Sequence, residues 1–364
     1  MKAKAAVFVG ANQPFEIREF DVTPTPAGFG RSSLIASGVC GTDLHIHNGK
    51  LDNPPSTIIG HEFVGKLEDC NPEEAAKYGL AVGDNVVAYI AVSCGECLLC
   101  KNGDDANCVN MVDTVSECVD VAPHLYGGYA EVNYTPLANL IKIPTELDPV
   151  MTATFACPGP TCIHAFRLAE RAGLTFGKDT VAVVQGMGPV GCFAMLYLKA
   201  LGVKKLYNII FEPDRSKEAL ALSVGADEVL NLVYQSEEEI TAKLQAENGG
   251  LGVDLCFEAS GAPAAVKMGI DILRNRGVYL VPGQYSNSGG VEIQPQLITF
   301  KALQILGSSQ YSYVDVELYL QFLCAHKEVH DTIRKLGTAY SVEDVNHAFE
   351  EAKSKKNVKT MLVK

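Results

Sequence analysis

Apolar and polar positions in the central part of the chain predict an alternation of strands and helices. Residues Thr180–Gln185 are apolar and β-branched, which predicts a buried strand, and Cys192–Leu201 reads as a helix. The same pattern predicts further strands at Leu206–Phe211, Glu228–Leu232, Val253–Phe257 and Gly277–Val281, and helices at Glu237–Gln245 and Ala264–Leu273. Strands that alternate with helices in this way predict an α/β fold with a doubly wound parallel sheet.

A glycine-rich turn joins the first of these strands to its helix. Its sequence is a G-x-G-x-x-G, Gly186-Met187-Gly188-Pro189-Val190-Gly191. The first glycine permits a tight turn, the second lets a pyrophosphate approach the backbone, and the third lets the helix pack on the strand. The helix N-terminus then offers N–H groups to phosphates. Strand, turn and helix in this order predict a dinucleotide site, and an ordinary βα loop is the alternative.

The acid after the second strand indicates which dinucleotide binds. Glu212 lies 26 positions after Gly186, close to where such folds place a carboxylate against the adenine ribose hydroxyls. This position favours NAD over NADP, because a 2′-phosphate would meet like charge. Arg215 could offset that repulsion. The alternative role for Glu212 is a solvated acid that opens the next helix.

The two ends of the chain have a different, β-rich pattern. Short strand-like runs broken by prolines and glycines occupy Ala3–Phe8, Phe15–Phe20 and Ser33–Ala36, and residues 128–143 also alternate like strands. Asp148–Arg171 reads as helical, with a bend or restart at Pro158. At the C-terminal end, an amphipathic helix capped by Ser341 precedes a strand at Thr360–Val363. We expect this end to pack on the N-terminal domain.

Composition narrows the functional classes. A chain of 364 residues accommodates two domains, and 47% hydrophobic residues are typical of a globular protein. The net charge of −13 argues against nucleic-acid binding and gives no help at an anionic membrane. No apolar run is long enough to span a bilayer, and the N-terminus lacks a signal-peptide core, so we expect a cytoplasmic protein. Twelve cysteines in such a protein predict metal ligands or buried thiols.

Four cysteines have the spacing of a closed metal site. Their pattern is C-x2-C-x2-C-x7-C, formed by Cys94, Cys97, Cys100 and Cys108. Four thiolates can surround one tetrahedral zinc and leave no position for substrate, which predicts a structural ion. The loop has little apolar sequence of its own, so we expect the metal to order it. An iron–sulfur cluster is the alternative that the spacing leaves open.

A second cluster combines metal ligands with proton carriers. Cys40, Thr42, Asp43 and His45 lie within one short stretch, and His61-Glu62 follows. Cys40 and His61 are ligand types that zinc takes in proteins. The residues therefore predict a second metal site, and structural roles for each are the alternative.

With these motifs assembled, the chain resembles the zinc-containing medium-chain alcohol dehydrogenase superfamily. The similarity covers essentially the whole length and keeps the order of the motifs. It rests on the following segments: Cys40-Gly41-Thr42-Asp43-x-His45, Gly60-His61-Glu62, the four-cysteine loop, Cys157, the G-x-G-x-x-G, Glu258-Ala259-Ser260-Gly261 and Leu306-Gly307-Ser308.

The resemblance implies a fold and a set of roles. A GroES-like catalytic domain, residues 1–157 and 309–364, would enclose a Rossmann domain, residues 158–308. The catalytic zinc would be held by Cys40, His61 and Cys157, with Glu62 as a second-shell or exchangeable ligand. Asp43 would orient the zinc-bound histidine, and Thr42 and His45 would relay protons. We expect two zinc ions per chain, NAD, and a homodimer or homotetramer.

The implied activity is hydride transfer between an alcohol and NAD. A three-ligand zinc keeps a position for substrate, and the nicotinamide carries the hydride. A secondary alcohol or polyol fits a mixed pocket that we expect to include Thr42, His47, Leu51 and Ile90. One alternative is an NADPH-dependent aldehyde or ketone reductase. The other is a non-catalytic member of the same fold.

Overall fold

The computed structural model describes residues 1–89 and 91–364, with Asp113 and Thr114 described by their backbone alone. The predicted pocket residue Ile90 lies outside the described residues. The chain forms two compact units. One contains Met1–Pro160 and Tyr311–Lys364, and the other contains Thr161–Gln310.

The N-terminal part of the first unit is built mainly from strands. These are β1 Lys2–Val7, β2 Glu16–Asp21, β3 Phe29–Gly38, β4 Phe63–Cys70, β5 Asn85–Ala88, β6 Ala91–Val92, β7 Val112–Asp113, β8 Val132–Pro136 and β9 Leu140–Lys142. Its helices are α1 Gly41–His47, α2 Pro72–Ala76, α3 Leu98–Lys101 and α4 Pro149–Thr154, and α5 Pro158–Arg171 leads out of it. Prolines begin α4 and α5. A proline is tolerated there because the N–H that it lacks would have no partner within the first turn of a helix. The predicted restart at Pro158 is thus found.

The second unit contains the predicted parallel sheet. Its elements are β10 Val181–Gln185, α6 Pro189–Ala200, β11 Lys205–Ile210, α7 Ser216–Val224, β12 Glu228–Asn231, α8 Glu237–Gln245, the single turn α9 Glu247–Gly250, β13 Val253–Glu258, α10 Pro263–Ile272, β14 Leu273–Val281, α11 Pro295–Phe300 and β15 Gln304–Gly307. The strand order is β12-β11-β10-β13-β14-β15, and every pair is parallel. This is the order of a dinucleotide-binding sheet, in which ligands bind at the carboxyl ends of the strands where the order reverses. The α/β prediction is confirmed.

The C-terminal segment returns to the first unit. It forms α12 Tyr313–Ala325, α13 His330–Leu336, β16 Gly337–Ser341, α14 Val345–Lys353 and β17 Lys359–Val363. Ser341 caps a short 3-10 turn that precedes α14, since its side chain accepts the N–H of Asp344. The sheet of this unit has the order β16-β17-β3-β4-β5-β9, with β8 also paired to β3. Strand β17 therefore lies beside β3, the strand that leads to Cys40.

Apolar residues of strands and helices fill a separate core in each unit. In the first unit this core includes Phe63, Tyr129, Tyr134 and Phe349, all fully buried or nearly so.

Among the described residues, we find no helix long and apolar enough to cross a membrane.

Candidate metal and cofactor sites

Cys40 lies at the start of a short helix that follows β3. It is the N-cap of α1, and its backbone is extended. The Cys40 N–H donates to Asp43 Oδ2 at 2.8 Å, which satisfies one of the free donors of the helix N-terminus. Sequence patterns assigned no helix to Gly41–His47. The helix places Thr42 and His45 three residues apart, on one face.

The structure brings four potential ligands of the second metal site together. One ligand atom each from Cys40, His61, Glu62 and Cys157 lies within 4.8 Å of the others. The Sγ atoms of Cys40 and Cys157 are 3.9 Å apart. Zn–S bonds of about 2.3 Å at tetrahedral angles place two sulfurs roughly 3.8 Å apart, so the thiols fit one zinc ion. The hydrogen bond to Cys157 holds the pKa of Cys40 well below its ordinary value, although burial opposes the shift.

Two buried polar side chains, Asp43 and Tyr129, lie on one side of the imidazole of this cluster. His61 Nδ1 lies 3.3 Å from Asp43 Oδ1, and Asp43 is fully buried. The Asp43 charge raises the pKa of His61 well above its ordinary value, although burial lowers it. The other oxygen of Asp43 accepts a hydrogen bond from the Tyr129 hydroxyl at 2.7 Å. Asp43 thus lies beside His61, whereas the sequence analysis did not single out Tyr129.

Glu62 forms a buried ion pair that sequence reasoning also missed. Both of its carboxylate oxygens lie 2.6 Å from Lys359 Nζ, and both side chains have zero exposure. Lys359 Nζ donates a further hydrogen bond to the Val39 carbonyl at 3.1 Å. Burial raises the pKa of Glu62 to about 7, even though the ammonium of Lys359 lowers it. Gly38 makes room for the pair, since a Cβ there would lie 2.2 Å from Glu62 Oε2.

Of the predicted proton carriers, Thr42 lies next to the candidate ligand Cys40, and His45 lies one turn further along α1. Thr42 Oγ1 is 3.8 Å from Cys40 Sγ, and His45 is half-buried on the same helix. Burial, together with the charge of Lys50, lowers the pKa of His45 below its ordinary value. At neutral pH this imidazole is therefore uncharged and able to accept a proton.

Two predicted pocket residues pack into the core of the first unit. The ring of His47 is buried, with its centroid 5.4 Å from those of both Phe15 and Phe349. Leu51 is partly buried against the same core. These aromatic contacts explain the burial of His47 without any role in ligand binding.

The four cysteines of the loop form the other potential metal cluster. All four Sγ atoms lie within 4.8 Å of one another, and the measured pairs are 3.5 to 4.0 Å apart. Three thiols also accept backbone N–H groups: Cys97 N donates to Cys94, Cys100 N to Cys97, and Cys94 N to Cys108. Backbone N–H groups, that of Glu96 first, lower the pKa of Cys94 to about 6. These separations fit four bonds to a single ion.

The glycine turn of the second unit has the geometry that its sequence predicts. Gly186 has φ +95°, and a Cβ there would lie 2.8 Å from the backbone of Ser260. A Cβ at Gly191 would lie 2.4 Å from the Gly186 carbonyl oxygen. Gly188 differs, because a Cβ there would meet nothing within 4 Å. The open space at Gly188, directly before α6, suits a pyrophosphate rather than a protein contact.

The other residues of the G-x-G-x-x-G begin helix α6, and a loop after the neighbouring strand packs against the turn. Pro189 and Val190 are the first residues of α6, and Gly188 is its N-cap. On the neighbouring strand, buried Glu258 accepts the N–H groups of Ser260 and Gly261 at 2.7 and 2.9 Å. Glu258 therefore fixes the loop that packs against Gly186.

Glu212 follows β11 and lies at the carboxyl edge of the parallel sheet. Its N–H donates to the side chain of Asn231 at 3.3 Å, and its carbonyl accepts from Asn231 at 2.8 Å. The guanidinium of Arg215 lies 4.1 Å from the ring centroid of Tyr234 and 4.0 Å from Glu218. Asn231 thus holds the backbone of Glu212, and Arg215 is directed at other partners.

Comparisons with known proteins identify the family of the chain. Residues 33–145 match the alcohol dehydrogenase GroES-like domain, and residues 189–325 match the zinc-binding dehydrogenase domain. An erythritol/L-threitol dehydrogenase from Mycolicibacterium smegmatis is 31% identical over 84% of this chain and 83% of its own. The chain belongs to the zinc-containing medium-chain alcohol dehydrogenase superfamily.

Solved structures of other dehydrogenases have the same fold. An alcohol dehydrogenase from Thermotoga maritima has a TM-score of 0.89 and 27% identity, and the match covers 100% of this chain and 99% of that one. A zinc-binding dehydrogenase from Sinorhizobium meliloti, solved with NADP, has a TM-score of 0.84 with full coverage of both chains. At 22% identity it shows the fold alone. This medium-chain dehydrogenase is therefore an alcohol oxidoreductase with a Rossmann unit and a GroES-like domain.

Proposed function

We propose that this dehydrogenase reversibly oxidises a secondary alcohol or polyol with NAD at a zinc site held by Cys40, His61 and Cys157. The observation that carries the proposal is the ion pair of Glu62 with Lys359, because the ammonium lies 2.6 Å from each carboxylate oxygen and so competes with a metal for Glu62. Three ligands then remain in the cluster. A zinc ion with three protein ligands keeps a fourth position for substrate, which is the arrangement of catalytic sites.

The chain's own residues would move the proton. When bound, zinc would supply the Lewis acidity that makes an alcohol acidic, and NAD would supply the hydride acceptor. Thr42, beside Cys40, would accept the proton released by the substrate. His45 would take it from there, since its lowered pKa keeps the imidazole neutral and able to accept at pH 7. Asp43 would hold His61 in the tautomer that leaves Nε2 for the metal.

The four-cysteine loop would hold a second, structural zinc. Its compact set of thiols and the N–H groups directed at them support this role, because thiolates are the form that binds metal. A closed shell of four thiolates leaves no position for substrate. We therefore propose two zinc ions per chain.

The cofactor would be NAD, bound at Gly186, Gly188, Pro189, Val190 and Gly191. Glu212 supports the choice, because its carboxylate could accept hydrogen bonds from the adenine ribose hydroxyls. NADP(H) is the second candidate, since Arg215 stands three residues further along and could pair with a 2′-phosphate. Its contacts with Tyr234 and Glu218 would have to be broken first.

A substrate panel with metal analysis tests the proposal. The relative that acts on erythritol and L-threitol makes four-carbon polyols the first compounds to test, followed by simple secondary alcohols. The expected results are two zinc ions per chain and appearance of nicotinamide absorbance with NAD. Absence of zinc, or of turnover with every alcohol and carbonyl tested, would contradict the proposal.

The protein would act in the cytoplasm as a homo-oligomer. Strand β15 is an edge of the parallel sheet, and near it Phe300 is 77% and Ile305 39% exposed. Such an apolar edge supports self-association. Sedimentation analysis would measure a dimer or tetramer if this is correct.

A further inference from the structure

Tyr129 connects the two chain segments that carry the metal ligands Cys40 and His61. It is fully buried, and its hydroxyl donates to Asp43 Oδ2 at 2.7 Å. Its ring lies against Gly60, where a Cβ would come within 2.5 Å of the ring. Gly60 has φ +97° and directly precedes His61. One side chain therefore touches both the helix of Asp43 and the loop of His61.

The backbone next to Tyr129 is held tightly against the same loop. Gly128 N donates to the Gly60 carbonyl at 2.8 Å, and Tyr129 N donates to the Ile59 carbonyl at 3.1 Å. A Cβ at Gly127 would lie 1.7 Å from the Ile58 carbonyl oxygen. This close approach leaves the tyrosine ring little freedom to move.

The hydroxyl of Tyr129 determines how the two oxygens of Asp43 are used. Oδ2 accepts from both Cys40 N and Tyr129, whereas Oδ1 lies 3.3 Å from His61 Nδ1. With Oδ2 occupied twice, Oδ1 has no hydrogen-bond donor among the described residues and is the oxygen left for the imidazole. Burial and the charge of Asp43 raise the pKa of Tyr129 well above its ordinary value, so the hydroxyl remains a donor at neutral pH.

We infer that Tyr129 is a positioning residue for the zinc site, acting through Asp43 to orient His61. This inference rests on the proposed function, because it requires a metal at Cys40, His61 and Cys157. A phenylalanine at this position would keep the ring and its contact with Gly60. It would leave Asp43 Oδ2 with one donor, so the carboxylate could turn and His61 would lose its fixed orientation.

Zinc release from the Tyr129→Phe variant tests the inference. Mutation of a residue that hydrogen-bonds a metal-bound histidine typically lowers metal affinity 10- to 100-fold. Tyr129 acts one step further out, through Asp43, so we expect zinc to dissociate about tenfold faster, at the lower end of that range. Release to a chelating dye would be followed in time. The kinetic phase that belongs to zinc at Cys40, His61 and Cys157 is identified as the phase that is missing when the Cys40→Ser variant is measured. The four-cysteine phase should keep its wild-type rate.

Tyr134→Phe is the matched control. Tyr134 is also fully buried in the first unit, and its hydroxyl donates to the Thr23 carbonyl at 2.6 Å. Loss of this hydroxyl should affect stability without changing zinc release. In cobalt-substituted protein, Tyr129→Phe should also shift the visible absorption of the open site, whereas Tyr134→Phe should not.

A double-variant cycle separates action through Asp43 from a local effect of the ring. In an Asp43→Ala background, Tyr129→Phe should cause no further increase in the release rate. An equal increase in both backgrounds would overturn the inference, as would a wild-type release rate in the single variant with two zinc ions bound. A wild-type protein without zinc at Cys40 and His61 would overturn the proposed function, and this inference with it.

Discussion

Lys359→Met removes the cation of the buried pair while keeping most of the side-chain volume. The variant leaves Glu62 without its partner at a position with zero exposure, and it leaves the Val39 carbonyl without a donor. Burying an unpaired carboxylate is costly, because protein groups no longer replace the lost hydration. We therefore expect a large loss of stability in the first unit.

The size of the loss follows from the burial of the pair. Breaking a buried pair by removing one partner costs about 3–5 kcal/mol. A unit of this size loses about 2–4 °C in Tm for each kcal/mol, so Tm should fall by about 6 to 20 °C. Thermal unfolding followed by circular dichroism measures the change.

Two further variants show whether burial is the cause. Lys2 and Glu19 form an exposed pair at 3.5 Å, so Lys2→Met should lower Tm by less than about 4 °C. The double variant Glu62→Met/Lys359→Met replaces both charged groups with apolar side chains of similar volume and should recover most of the lost stability. The reasoning is refuted if Lys359→Met melts like Lys2→Met, or if the double variant is no more stable than Lys359→Met.

Three other predictions concern the metals, the cofactor and the proton path. Cys97→Ser should lower zinc content and Tm more than it lowers turnover per folded molecule. Cys40→Ser should instead lower turnover more than Tm. A stable, zinc-replete Cys97→Ser protein would contradict the structural role of the four-cysteine loop. NAD should exceed NADP in kcat/KM by roughly a hundredfold, and Glu212→Ala should narrow this ratio; equal wild-type values would refute the ribose contact. Alcohol oxidation should slow as pH falls through a pKa below about 6.5, where His45 becomes protonated. His45→Gln should lower kcat by about a hundredfold at pH 7 and remove that dependence; an unchanged pH profile would argue against the relay.

Features encoded by neighbouring residues could be predicted from the sequence. The helix Glu237–Gln245 has the predicted bounds, and β10 begins one residue later than predicted, at Val181. The positive φ of Gly186 follows from the tight turn that a G-x-G-x-x-G forms. Periodicity and turn chemistry decide these features over a few residues, and that is why the α/β fold could be predicted.

Contacts between distant residues could not be predicted in the same way. Lys359 lies 297 positions from Glu62, and Tyr129 lies 86 positions from Asp43. A lysine ahead of an apolar strand is ordinarily exposed, so nothing local indicated that Lys359 is fully buried. The strand order of the first unit places it there, because β17 pairs with β3.

The late position of Lys359 also bears on how the protein is made. During synthesis, Cys40 and His61 leave the ribosome about 300 residues before Lys359 does. In that interval Glu62 has no cation beside it, and strand β3 lacks its neighbour β17. Residues 161–310 form a continuous compact unit and can fold meanwhile, as domains generally do during translation. The proposed zinc site would therefore be completed only after β17 has been synthesised, and a nascent chain that had already captured metal at Cys40 and His61 would still lack the cation that pairs with Glu62.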